Sequence, residues 1–99
     1  MNLDLLVRRD LASILMRLGF RLAASMVGTA PPTVWRLIAA DCAARTSTRD
    51  QHLCATAQDA ATSMAQGDVE AAARRLAGVC GLSVEGWAAQ VDAETAGLS

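Results

Sequence analysis

The chain has no lysine and no tyrosine, and only one phenylalanine, one histidine and two prolines among its 99 residues. Without lysine, nine arginines carry all the positive charge against ten acidic residues, a formal net charge of −1. No global field therefore draws the molecule onto nucleic acid or an anionic membrane. An all-arginine basic set is also the composition expected of a GC-rich bacterial genome. Cys42, Cys54 and Cys80 are odd in number and lack framework spacing, which excludes a disulfide-built secreted scaffold and predicts reduced thiols in a cytoplasmic protein. Long apolar runs are missing too: Asp4, Asp10, Arg17 and Arg21 break the N-terminal segment before it reaches the length of a signal core or a membrane span. A surface-lying amphipathic helix is disfavoured because its polar face is narrow and contains acids.

What is present is alanine. The chain is 53% hydrophobic, and much of that is the best helix former, while the β-branched and aromatic residues that favour strands are scarce. The fold class is therefore all-α: a small orthogonal or up-down bundle of four to five helices, with a long N-terminal helix and a central αα-hairpin. A chain of this length forms one domain, residues 1–99, and buries only about 60 to 65% of its unfolded surface.

The first helix is predicted from Leu3 to Met26, ended by Gly28 and the tandem Pro31-Pro32. At helical spacing it carries two apolar stripes on opposite faces. Val7, Leu11, Ile14, Leu15, Leu18 and Leu22 make one; Leu5, Ala12, Met16, Phe20, Ala23 and Val27 make the other. One stripe serves a core and the other calls for a neighbour, giving an interface helix over about 3–27 and a helical bundle over about 32–96. A second helix opens near Pro32 with Val34, Leu37, Ile38, Asp41, Cys42 and Arg45 on one stripe, supplemented by Trp35. After a Thr46-Ser47-Thr48 linker, Thr48 and Gln51 stand at capping-box spacing and start a third helix near Arg49, with Leu53, Ala57, Ala60, Ala61 and Met64 inward. Gly67 stops it and Asp68 caps a fourth, about Val69 to Val79, presenting Val69, Ala72, Ala73, Leu76 and Cys80. Gly81 breaks the chain again, Ser83 caps a fifth helix from Val84 to about Glu94 built on Trp87 and Val91, and the tail after Ala96 frays. Met64 to Ala72 resembles the hinge of a tetratricopeptide unit, which implies an antiparallel helical hairpin. Thr56, Asp59 and Ser63 replace the large residues that such a unit carries earlier, and no period of roughly 34 residues recurs.

Chemistry is harder to find. Residues 73 to 91 have helix-turn-helix spacing, but the second arm offers Glu85, Asp92, Glu94 and a single Gln90 where base edges and phosphates require cations and amides. His52 and Cys54, with Cys42 upstream, do not make a metal site or a nucleophilic pair, because residues two apart on a helix point about 200° away from each other. Asp41 and Asp59, on the second and third helices, are spaced to face each other across a bundle as an acid and a base, but Arg45 stands four residues after Asp41, and a local ion pair is the favoured reading. Gly19, Gly28 and Gly67 stand singly, so there is no phosphate-binding loop.

No catalytic, cofactor or metal residue is therefore expected, and the chain reads as a non-enzymatic protein-protein interaction module that self-associates through its N-terminal helix. Arginine mixed with large apolar side chains is the composition of interface centres and rims. That places the partner-binding surface at Leu5, Arg9, Met16, Arg17, Phe20, Arg21, Trp35 and Arg36, with Arg8 in the same concentration of charge. The alternative is a small inhibitor or adaptor that blocks a larger protein; it resembles in type the compact helical proteins of phages and mobile elements, anti-CRISPR proteins among them. A DNA-binding regulator is the third and least favoured reading.

Overall fold

Gly19 divides the segment expected to be one long helix. The computed structural model describes residues 2–45 and 50–96, with side chains to residue 94. Among these are six α-helices and no strand: α1 Leu3–Arg17, α2 Arg21–Met26, α3 Pro32–Ala44, α4 Gln51–Ala65, α5 Val69–Val79 and α6 Val84–Ala96, with a 3-10 turn, Val27–Thr29, between α2 and α3. The Thr46-Ser47-Thr48 linker, the capping box at Thr48 and the fraying tail lie outside the described residues.

The break at Gly19 has a local cause. Its φ of +84° is left-handed, a conformation that costs an L-residue a clash at Cβ and costs glycine nothing. It lets the Phe20 amide donate to the Leu15 carbonyl at 2.8 Å and the Gly19 amide to Met16 at 3.1 Å, the paired bonds that close a helix in a Schellman motif. The same pattern ends α4 at Gly67 and α5 at Gly81. Asp68 and Ser83 then cap the next helices by accepting from the Ala71 and Gly86 amides, both at 3.1 Å.

This break exchanges the roles of the two apolar stripes. Before Gly19 the first stripe is inside, with Val7, Leu11, Ile14 and Leu15 buried; after it the second stripe is inside, with Phe20, Ala23 and Val27 buried and Leu22 turned out. A continuous helix would keep one phase, and re-aiming the chain lets a small bundle cover parts of both.

α1 runs through the middle of the molecule and touches α2, the 3-10 turn, α4, α5 and α6. The broadest helix pair is α3 with α4, followed by α4 with α5. Ala57, Ala60 and Ala61 of α4 and Ala72 and Ala73 of α5 are all fully buried, small residues of the kind that allow close helix approach. Trp35, Ile38 and Cys42 form the inner face of α3, and Trp87, Ala88 and Val91 that of α6. Cys80, expected on the inner stripe of α5, is exposed because it falls one residue beyond the helix, at its C-cap.

Arg8 joins α1 to the chain reversal that follows α2. Its guanidinium donates to the carbonyls of Val27 at 2.8 Å and Ala30 at 3.1 Å. Its Nε lies 2.9 Å from Asp4, and it sits over the Trp35 ring at 5.6 Å from the centroid. No helix among the described residues is long and apolar enough to cross a membrane.

Candidate functional site

Leu22 and Leu37 are the most exposed large apolar side chains among the described residues, at 76% and 65%. Both line one groove of about 320 Å³ between α2 and α3. They come together because the break at Gly19 rotates α2 until Leu22 faces outward, while α3 turns Trp35, Ile38 and Cys42 inward and leaves Leu37 on its flank. Phe20, Ala23 and Ile38, all buried, also line the groove, together with Met26. The polar lining is Arg21, Asp41 and Arg45. Arg45 pairs with Asp41 along α3 at 2.9 Å, and its guanidinium lies 5.7 Å from the Phe20 ring centroid, a distance at which the ring face attracts a cation.

The eight residues expected to bind a partner do not share one surface. Phe20 and Arg21 line the α2–α3 groove. Leu5 and Arg9 line a separate groove of about 340 Å³ between α1 and α6, facing Glu85 and Asp92. Met16 is exposed on α1, and Arg17 borders a third cleft. Arg36 is exposed on α3 but does not line the groove, while Trp35 is a core residue, 1% exposed. Leu22, Met26, Leu37, Asp41 and Arg45 are not among the residues that the sequence marks as a binding surface. The signal that finds them is Gly19, which resets the helical phase before Leu22.

The third cleft lies where α1, α4, α5 and α6 meet, and it is lined by Asp10, Arg17, Trp87, Gln90, Glu94 and the exposed Cys80, among others. Asp10 accepts a hydrogen bond from the Trp87 indole at 2.8 Å. Burial lifts its pKa above the ordinary 3.8; the Trp87 bond works in the opposite direction, Glu94 raises the value further and Arg17 lowers it. A carboxyl whose folded pKa is raised binds its proton more tightly in the folded chain, so its contribution to stability is greatest when protonated and is lost as pH rises from 3.8 towards the folded value. Asp10→Asn keeps an oxygen that accepts from Trp87 and removes the buried charge. Urea unfolding between about pH 3 and pH 7 should show a flatter pH dependence for this variant, with stability at neutral pH unchanged or raised; a loss above about 1 kcal/mol there would contradict this account.

Asp41 is held by Arg45, and Asp59 lies 3.1 Å from Arg75 of α5. His52 is exposed and Cys54 buried, and no group of three or more His, Cys, Asp or Glu among the described residues is placed to hold a metal ion. In the α5–α6 pair, α6 shows Glu85, Gln90, Asp92 and Glu94 to solvent, an acidic face that repels a phosphate backbone. No protein-family model, curated protein or solved structure matches this chain.

Proposed function

We propose that this protein is a non-catalytic interaction module of the cytoplasm that pairs with a second copy of itself across the α2–α3 groove. The observation that carries this reading is the convergence of Leu22 and Leu37 on one groove with an apolar floor. Two-fold pairing requires a patch that complements itself, with projections and recesses side by side. Here two leucines project beside the recess floored by Phe20 and Ile38. The rim carries both signs, Arg21 beside the Asp41–Arg45 pair, and two-fold symmetry can set Arg21 of one copy against Asp41 of the other in competition with Arg45. Each leucine is worth about 1.5 to 3 kcal/mol when fully buried. A standard interface buries roughly 800 Å² per partner, and two projecting leucines per copy point to an affinity in the micromolar range, about 8 kcal/mol.

Sedimentation equilibrium from about 1 to 200 µM, bracketing a micromolar constant, should show a monomer-dimer equilibrium, with a melting temperature that rises with concentration. Leu22→Asp and Leu37→Asp should each weaken it at least tenfold, about 1.4 kcal/mol or more, while Leu5→Asp, in the α1–α6 groove, should leave it within a factor of about two. A monomer throughout that range, or equal effects from all three substitutions, rules out pairing by this groove. A monomer would shift the balance to the inhibitor or adaptor reading, in which the same apolar patch covers part of a larger protein.

A further inference from the structure

We infer that Cys42 and Cys54 form an oxidation site that closes to a disulfide between α3 and α4. The two residues sit at the near ends of consecutive helices, Cys42 in the last turn of α3 and Cys54 in the first turn of α4, in the most closely associated helix pair of the molecule. Cys54 Sγ lies 3.0 Å from the Cys42 carbonyl oxygen, so the sulfur of one cysteine touches the backbone of the other. Closure requires the two side chains to turn until their sulfurs meet, and a sulfur already in contact with the backbone of the other cysteine is close to that arrangement. Eleven residues separate the two cysteines, so the covalent loop is short and joins helices already packed together.

The chemistry needs a thiol-reactive oxidant, and a low-molecular-weight disulfide such as oxidised glutathione suffices. The Cys54 thiol loses its proton and its sulfur attacks one sulfur of the oxidant, releasing one glutathione thiolate. The Cys42 thiolate then attacks Cys54 Sγ and expels the second. In sum two protein thiols surrender two protons and one electron pair, and the oxidant's disulfide is reduced to two thiols. Burial, followed by the neighbouring Cys54 and Asp41, pushes the Cys42 thiol up to about 12, so the second step is slow at neutral pH and is speeded as pH rises. Cys80 is exposed and lies apart from the pair, lining the cleft by Asp10.

The test uses the full chain carrying Cys80→Ser, which leaves only the buried pair, treated with oxidised glutathione at mildly alkaline pH without denaturant. The expected product has lost two hydrogens, has no thiol that alkylates after unfolding, and yields on trypsin digestion a cross-linked pair of peptides, residues 37–45 joined to 50–74. It should unfold at higher urea concentration than its reduced form, since a bond favoured by native geometry must stabilise that geometry. In the parent chain, Cys80 should alkylate at least about tenfold faster than either buried thiol. A glutathione adduct that never resolves, two thiols still present after treatment, or a cross-linked form that unfolds at lower urea than the reduced form would each overturn the inference. None of these readouts depends on self-association.

Discussion

Arg8→Met should lower the unfolding free energy by about 3 kcal/mol, while Arg9→Met, one residue on, should change it by no more than about 0.5 kcal/mol. Methionine keeps most of the length and the apolar stem, so the difference reports the guanidinium. Arg8 is largely covered, its side chain 20% exposed, and two of its bonds end on the Val27 and Ala30 carbonyls; Val27 also accepts a long 3-10 bond from the Ala30 amide at 3.4 Å, whereas Ala30 is the extended residue that follows the turn. A hydrogen bond to a charged group contributes about 1.5 to 3 kcal/mol, and the Ala30 carbonyl, which loses its donor, adds a desolvation cost. The Asp4 ion pair adds little, since Asp4 is about half exposed. Against a total of roughly 5 to 15 kcal/mol for a domain of this size, the loss is large. Urea unfolding of both variants decides the matter: equal midpoints would mean that Arg8 is an ordinary surface cation.

Trp87→Ala should cost about 4 kcal/mol, the usual range for emptying a buried aromatic position. The more informative pair is Trp87→Phe and Trp35→Phe. Both tryptophans are 1% exposed and lose the same ring volume on conversion, but the Trp87 indole donates to Asp10 whereas the Trp35 Nε1 is buried with no hydrogen-bond partner. Trp87→Phe strands a half-buried carboxylate, and Trp35→Phe removes a polar atom that was already unsatisfied. The first should therefore be the more destabilising by about 1 kcal/mol, part of the margin being offset because Trp35 gives up the better cation-binding face to Arg8. Should Trp35→Phe prove the worse of the two in urea, the hydrogen bond to Asp10 is not what distinguishes them.

Features governed by neighbours along the chain are legible in the sequence. Alanine content dictates helices; Gly67 with Asp68, and Gly81 with Ser83, mark two turns and two caps within a residue of where they stand. Gly19 escapes notice because Phe20, Leu22 and Ala23 continue the apolar spacing across it, so composition alone does not reveal that the phase is reset there. A helix drawn straight through Gly19 assigns Leu22 to the core and hides the α2–α3 groove. Trp35 has the look of an anchor for a partner because it stands beside Arg36 and Leu37, yet burial of a large aromatic in its own chain answers to the same composition. The role of Arg8 has no local signal, since its carbonyl partners lie 19 and 22 residues away. Of the expected binding surface, Phe20 and Arg21 belong to the groove with the strongest exposed anchors; the remaining residues are distributed by the three-dimensional course of α1, which spacing along one helix does not encode.

Because α1 is covered in part by α5 and α6, it leaves the ribosome well before the helices that enclose it. The Trp87 to Asp10 bond spans 77 residues, so during synthesis Val7, Leu11 and Ile14 wait until α6 has been made before their wrapping is complete. A nascent product cut short before α6 would leave that stripe open to water and to other unfinished chains, the circumstance in which chaperones are needed.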